Sequence, residues 1–377
     1  MIIDLSDTTA SEIAAALVRA RRSAGSPAMG MVLTLIVVAD ESTHYDALKA
    51  AMQAAKEHPS RILGVIPRAG RGAPRLDAEV RVGGEGGGGE SVLLRLYGEL
   101  SKHAESVVMP LLLPESPVVA WWPGKAPDEP SADPLGQLSQ RRVTDAASDR
   151  RPLTALQSHC HRYAPGDTDL SWTRTTPWRA LLAAALDQYP VPVQSATVEA
   201  ERANASADLI AAWLSRKLRI PATVKASKGP GITATRLHTE SGDIAITRPD
   251  GLLARYSIPG QPERNVALKR RDTSELLAEE LRRLDPDDVY AQTVEELLRK
   301  LERESGQRRA RTPTRSTSAE TTTAKAAASS TGGSTTKSTA EPGGRSSVKS
   351  SGKATKAAAG SAGRSSARKP AAKRGRA

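Results

Sequence analysis

The chain has no phenylalanine, one cysteine and no apolar run long enough to span a bilayer. Each scarcity excludes something. A lone thiol, Cys160, cannot close an internal disulfide or build a cysteine-only metal site, and it fits a reducing compartment. The longest apolar stretches, MVLTLIVVA and VVMPLLLPESPVVAWW, are too short or too broken by proline to cross a membrane. The opening residues, MIIDLSDTT, lack the basic and apolar regions of a signal peptide, so a soluble, cytoplasmic protein with no membrane contact is expected.

Acidic residues are nearly missing from residue 306 onward. Residues 306–377 hold sixteen Lys/Arg against Glu320 and Glu341, a net of +14; the whole chain is +12, so residues 1–305 carry −2. Val348 is the tail's one large aliphatic residue, too little to offset chain entropy, and disorder is expected there. The alkaline character therefore belongs to the tail. The body is near-neutral and long enough for about two domains.

Five Trp and six Tyr are the only aromatics, and two of the Trp fall in one stretch, residues 167–188, DTDLSWTRTTPWRALLAAALDQ. Trp172 and Trp178 stand there beside Arg174 and Arg179. Thr176 suits a helix N-cap and Pro177 the first helical position. Leu181, Leu182, Ala185 and Leu186 then recur at helical spacing. The segment before Thr176 is polar and aperiodic, which predicts a surface connection. Two readings of the tryptophans stand: core at a domain junction, or an Arg/Trp contact patch of the kind that dominates binding hot spots. Arg179 opposes the dipole near a helix start, which implies an anionic group close by, on a partner or within the chain.

In chain order, Thr9 and Glu12 form a capping box before the stripe Ile13, Ala16, Leu17, Ala20 and Ala24, so the body is expected to open on a helix. Residues 32–39 are a continuous apolar strand, a helix follows from about His44, and residues 61–66 form a second strand. Strand, helix, strand with short links predicts a right-handed βαβ unit and a parallel sheet. Residues 76–82 alternate as a half-exposed strand, and residues 92–97 form another. A helix over 98–108, strands at 118–122 and from Val143, and a helix over 153–163 complete an α/β domain, residues 1–165. The second domain, residues 166–305, reads as α+β. A strand at 196–200 and a helix capped by Asn204 or Ser206 lead to five short strands with hairpin links, hence an antiparallel meander. Helices over 274–284 and 287–304 close it.

Four motifs bear on function. Strand alternation puts Trp121 and Trp122 on opposite faces, at the carboxyl end where parallel sheets bind ligands; they are core, or one serves a small-molecule or partner site. The glycine run GGEGGGGE precedes a strand, not a helix, so it predicts a hairpin loop rather than a phosphate loop. Adjacent His159, Cys160 and His161 on a helix point too far apart to share a metal. The acidic DPDD at 285–288 is an ordinary entry to a helix N-terminus. No catalytic, cofactor-binding or metal site is expected.

The motifs DTDLSWTRTTPWR, HPSR at 58–61, LLLPESPVVAWWP at 111–123 and AAWLSRKL at 211–218 resemble the OpcA family of glucose-6-phosphate dehydrogenase assembly proteins, in its actinobacterial form. The resemblance covers most of residues 1–305 and not the tail. It implies a non-enzymatic activator that promotes the active oligomer of glucose-6-phosphate dehydrogenase, the NADP-dependent enzyme that opens the oxidative pentose phosphate pathway. Cyanobacterial relatives are associated with redox control, which a chain with Cys160 alone cannot exert through an internal disulfide. Partner contact is expected at Trp121, Trp122, Trp172, Arg174, Trp178 and Arg179. Two other readings stand beside it: a nucleic-acid-associated protein binding nonspecifically through the basic tail, and a sugar-phosphate-binding enzyme or sensor.

Overall fold

The chain opens on a strand, not on a helix. In the computed structural model, which describes residues 1–24, 30–83 and 89–311, β1 (Ile2–Leu5) pairs antiparallel with β4 (Arg75–Val82), Ile3 opposite Val80. Four residues of alternating burial carry too little pattern to declare a strand. Helix α1 (Ala10–Ala24) follows, with the capping box in place: the Glu12 carboxylate accepts from the Thr9 amide at 2.9 Å, and Thr9 Oγ1 accepts from the Glu12 amide at 3.3 Å.

Continuous apolar runs set the centre of the first sheet. β2 (Leu33–Val38) and β3 (Ser60–Arg68) are parallel neighbours, Leu35 beside Ile62, and their apolar residues are buried on both faces. Helix α2 (His44–Ala54) joins them and buries Ala47, Ala51 and Ala54. The half-exposed β4 runs antiparallel to β5 (Glu90–Tyr97), which is itself parallel to β3. The single helix expected over 98–108 is broken: a 3-10 turn at Gly98–Lys102, then α3 (Ala104–Val108) and a second 3-10 turn at Met109–Leu111. Gly98 has φ +59, and a Cβ there would stand 2.4 Å from the Gly72 carbonyl oxygen, so the turn requires glycine.

β6 (Val118–Trp121) continues the sheet on the far side of β2, and the loop after it ends in the short α4 (Pro134–Gln137), capped by Asp133. β7 (Arg141–Thr144), α5 (Pro152–His161) and β8 (Asp167–Asp169) complete it. The order is β1-β4-β5-β3-β2-β6-β7-β8, parallel from β5 to β8. Those six strands follow the doubly wound arrangement, with the switch of direction at β2.

The segment before Thr176 corrects an expectation. It is not a surface connection: β8 and α6 (Leu170–Thr173) are buried throughout, with Asp169, Ser171 and Thr175 at 0% exposure. Its polar side chains are consumed internally. Asp169 accepts from Thr144 Oγ1 at 2.7 Å, the Ala146 amide at 2.9 Å and the Ser171 amide at 2.8 Å. Helix α7 (Thr176–Gln188) starts after Thr175, so Thr176 is its first residue and Pro177 its second.

The second sheet has the order β10-β9-β11-β12-β13-β14. β9 (Val193–Ala200), α8 (Ala205–Leu218) and β10 (Ala222–Ala226) form a second parallel βαβ unit, so the first of the five strands stands outside the meander. The crossover helix decides this, because α8 carries the chain back to the start of β9. β11 (Ile232–Thr239), β12 (Gly242–Thr247), β13 (Leu253–Ser257) and β14 (Arg264–Ala267) are the antiparallel meander.

Helix α9 (Thr273–Arg282) returns to the first sheet, where Leu276, Leu277 and Leu281 pack with Leu33, Leu35 and Trp121. Helix α10 (Asp288–Arg311) lies on α8 and α5, placing Tyr290, Val294 and Leu297 among Leu209, Leu156 and Cys160. It runs past the end expected at residue 304. The disorder expected for the tail otherwise falls outside the described residues, as does the loop expected within residues 84–88. Among the described residues no helix is long and apolar enough to cross a membrane.

Candidate functional site

At the switch point, a cavity of about 290 Å³ opens beyond the carboxyl ends of β2 and β6. Ala39, Asp40, Thr43, Trp122, Lys125 and Asp133 line it. In doubly wound sheets a phosphate sits here on a glycine turn that opens a helix. This turn is Ala39-Asp40-Glu41-Ser42-Thr43, without glycine, and Asp40 and Asp133 stand against the single Lys125. Burial raises the Asp133 carboxyl, outweighing the amides of Gly136 and Leu135 that it caps. The turn lacks the glycine that lets a pyrophosphate approach the backbone, and the lining sets two carboxylates against one ammonium.

The six residues expected at a partner surface lie in different settings. Trp121, Trp122, Trp172 and Trp178 are all buried, at 0%, 2%, 1% and 1% exposure. Trp121 packs in the cluster under α9, and Trp178 belongs to the core of the second sheet. Trp172 sits between the halves: its Nε1 donates to Asp287 Oδ2 at 2.8 Å, and its ring lies 5.7 Å from that of Tyr290. Asp287 also accepts from the amides of Val289 and Tyr290, each at 2.9 Å, so the DPDD segment does serve as a helix entry.

The arginines are committed inside the chain rather than free on its surface. Arg174 makes a bidentate pair with Asp145 at 2.7 and 2.8 Å. Burial works to lower the Arg174 guanidinium, but the Asp145 bonds and charge outweigh it and hold its proton more firmly. Burial in turn raises the Asp145 carboxyl against the pull of Arg174. Arg179 stacks 3.6 Å above the Trp172 ring and donates to Thr175 and Thr176 at 2.9 and 3.0 Å. Burial lowers it, and Asp287, Glu279 and Glu280 hold it up. These acids belong to the chain itself, and none makes an ion pair with Arg179 among the described residues. A latch below them joins the first sheet to α9: Arg141 Nη2 donates to Glu280 Oε2 at 2.5 Å, and Thr173 Oγ1 to Glu280 Oε1 at 2.5 Å. Asp145, Glu280 and Asp287 give no sign of these roles in the sequence, since each partner lies far along the chain.

The other short motifs are also mutually bonded. Arg61 of HPSR is buried, pairs with Glu90 at 2.9 Å, and donates to the Leu111 carbonyl at 2.7 Å. In the last turns of α5, Cys160 is 2% exposed and burial pushes its thiol up, while His159 Nδ1 lies 4.0 Å from Asp169. Among the described residues no cluster of His, Cys, Asp and Glu could hold a metal.

Two family models, both of the OpcA type, match the chain. Residues 51–161 match the N-terminal domain of a glucose-6-phosphate dehydrogenase subunit, and residues 165–294 match its C-terminal domain. Together they take in well over half of the chain.

The chain belongs to the OpcA family.

The segment that precedes the first match holds β1, α1, β2 and the start of α2, so the OpcA models leave out one edge strand and the central strand of the first sheet. No curated protein matches. Among solved structures, a 3-ketoreductase from Actinomadura kijaniata is similar at 9% identity, covering 71% of this chain and 95% of its own, with a TM-score of 0.39. A dehydrogenase from Clostridium difficile is similar at 7% identity, covering 73% and 99%, with a TM-score of 0.39. An oxidoreductase from Sinorhizobium meliloti is similar at 10% identity, covering 74% and 89%, with a TM-score of 0.37.

Proposed function

We propose that this OpcA-family chain is a non-catalytic cytoplasmic activator that promotes the active oligomer of glucose-6-phosphate dehydrogenase. Matches to the OpcA models across both halves carry this reading. The acidic, glycine-free turn at the switch point supports its non-enzymatic part, because a nicotinamide dinucleotide needs its pyrophosphate held there. The partner contact is proposed along residues 167–188, through the parts of Arg174 and Arg179 that reach the surface. Trp172 and Trp178 support these from below, and Trp121 and Trp122 shape the neighbouring end of the first sheet.

Size-exclusion chromatography with light scattering tests the association directly. The chain and purified dehydrogenase should co-elute at a mass above that of either alone. Separate elution at micromolar concentrations of both would refute the reading.

A further inference from the structure

A strongly cationic cavity lies away from the switch point. A space of about 330 Å³ opens between the approach to α5, the start of α7, the start of α8 and the link from β14 to α9. Arg150, Arg202, Arg248 and Arg270 line it, and none of the four has a carboxylate oxygen within 4.0 Å among the described residues. Asp149 and Glu201 are the carboxylates in the lining. Arg174, Lys269 and Arg271 also line it, each already paired with an acid of the chain.

Arg248 is the decisive member. It is 5% exposed and lies 4.9 Å from the Trp178 ring. Two of its nitrogens donate to backbone carbonyls, of Leu268 at 2.7 Å and Ile232 at 3.1 Å, while its buried Nε has no partner among the described residues. A guanidinium taken from water without a carboxylate is costly unless a counter-charge arrives. Burial, with Arg270 adding to it, outweighs the pull of Asp250 and pushes Arg248 down to about 10. The first turn of α8 adds positive potential of its own, since Ala205 and Ser206 line the same space. Gly231 borders the mouth beside Arg270 and Arg248, at φ +63.

We propose that this cavity is an anion site that takes a phosphorylated small molecule the size of a monosaccharide phosphate. Guanidinium groups with a helix N-terminus match the three oxygens of a phosphoryl group, and the volume is at the small end of ligand pockets, too small for a dinucleotide.

The test uses the full chain alone, so its failure is separable from failure of the dehydrogenase reading. Binding of glucose 6-phosphate and of inorganic phosphate is measured by calorimetry and thermal melting, with glucose and matched sodium chloride as controls. Glucose 6-phosphate should bind and raise the melting temperature, and glucose should not. Arg202→Ala with Arg270→Ala should weaken that binding by about tenfold or more. Both side chains are exposed, so the double variant should melt like the parent without ligand. Phosphate binding as well as its sugar ester would support a site that reads the phosphoryl group alone. No binding of either probe up to about 10 mM above the chloride control would overturn the proposal. So would undiminished binding in the double variant, or a double variant that loses only the dehydrogenase while neither probe binds the parent.

Discussion

Removing the Glu280 carboxylate should unfasten α9 from the first sheet. Arg141 and Glu280 are 5% and 7% exposed at the side chain and meet at 2.5 Å. With Glu280→Ala, among the described residues Arg141 keeps only the Asp285 carbonyl at 2.9 Å, and its Nε already lacks a partner. Breaking a buried pair from one side costs about 3–5 kcal/mol, because the remaining charge has no compensation. Thr173 also loses its acceptor, which adds about 1 kcal/mol. At roughly 2–4 °C per kcal/mol for a chain of this size, the melting temperature should fall by about 10 °C or more. Arg141→Met with Glu280→Leu should recover most of that loss, since an apolar pair of similar volume replaces a buried ion pair at little net cost. Thermal melts and urea titrations of parent, single and double variants measure this. A shift below about 2 °C in Glu280→Ala, or a double variant as unstable as the single, would refute the reasoning.

Three further outcomes are expected. Arg174→Ala should lower the melting temperature more than Arg179→Ala, because it strands buried Asp145 whereas Arg179 keeps no bidentate partner; equal shifts in paired melts would count against this. In the folded chain Cys160 should resist a thiol-reactive dye and become reactive only in denaturant, since it is buried and its thiol is pushed up; rapid native labelling would contradict that. Burial raises Asp208 above its ordinary 3.8, so the fold favours its neutral form, and its contribution to stability falls as pH rises through the folded value. Asp208→Asn should therefore raise the melting temperature near pH 7 and leave it unchanged below pH 3.8, and a gain that persists at the acid end would show that charge is not the cause.

Much of the fold was legible because its signals are local. The apolar runs of β2 and β3 and the Thr9–Glu12 box declare themselves within a few residues. β8 does not: Asp167, Thr168 and Asp169 are buried through distant partners such as Arg142 and Thr144, and no hydrophobic period marks them. The parallel pairing of β10 was hidden for a related reason, since strand composition does not say which neighbour a crossover will select. In residues 167–188, the residue types were readable but their commitments were not. Arg174 finds Asp145, and Trp172 finds Asp287 across 115 positions. The anion cavity was beyond sequence reasoning, because its arginines come from separate segments that only the packing of both sheets brings together.

The chain should raise dehydrogenase activity without turning over substrate itself. A single titration measures it: initial NADPH formation from glucose 6-phosphate by a fixed amount of purified dehydrogenase, against increasing full-length chain, with the chain alone as the parallel arm. A saturable rise in rate with no turnover by the chain alone is expected. A flat titration, or NADPH formed by the chain without the enzyme, would contradict it.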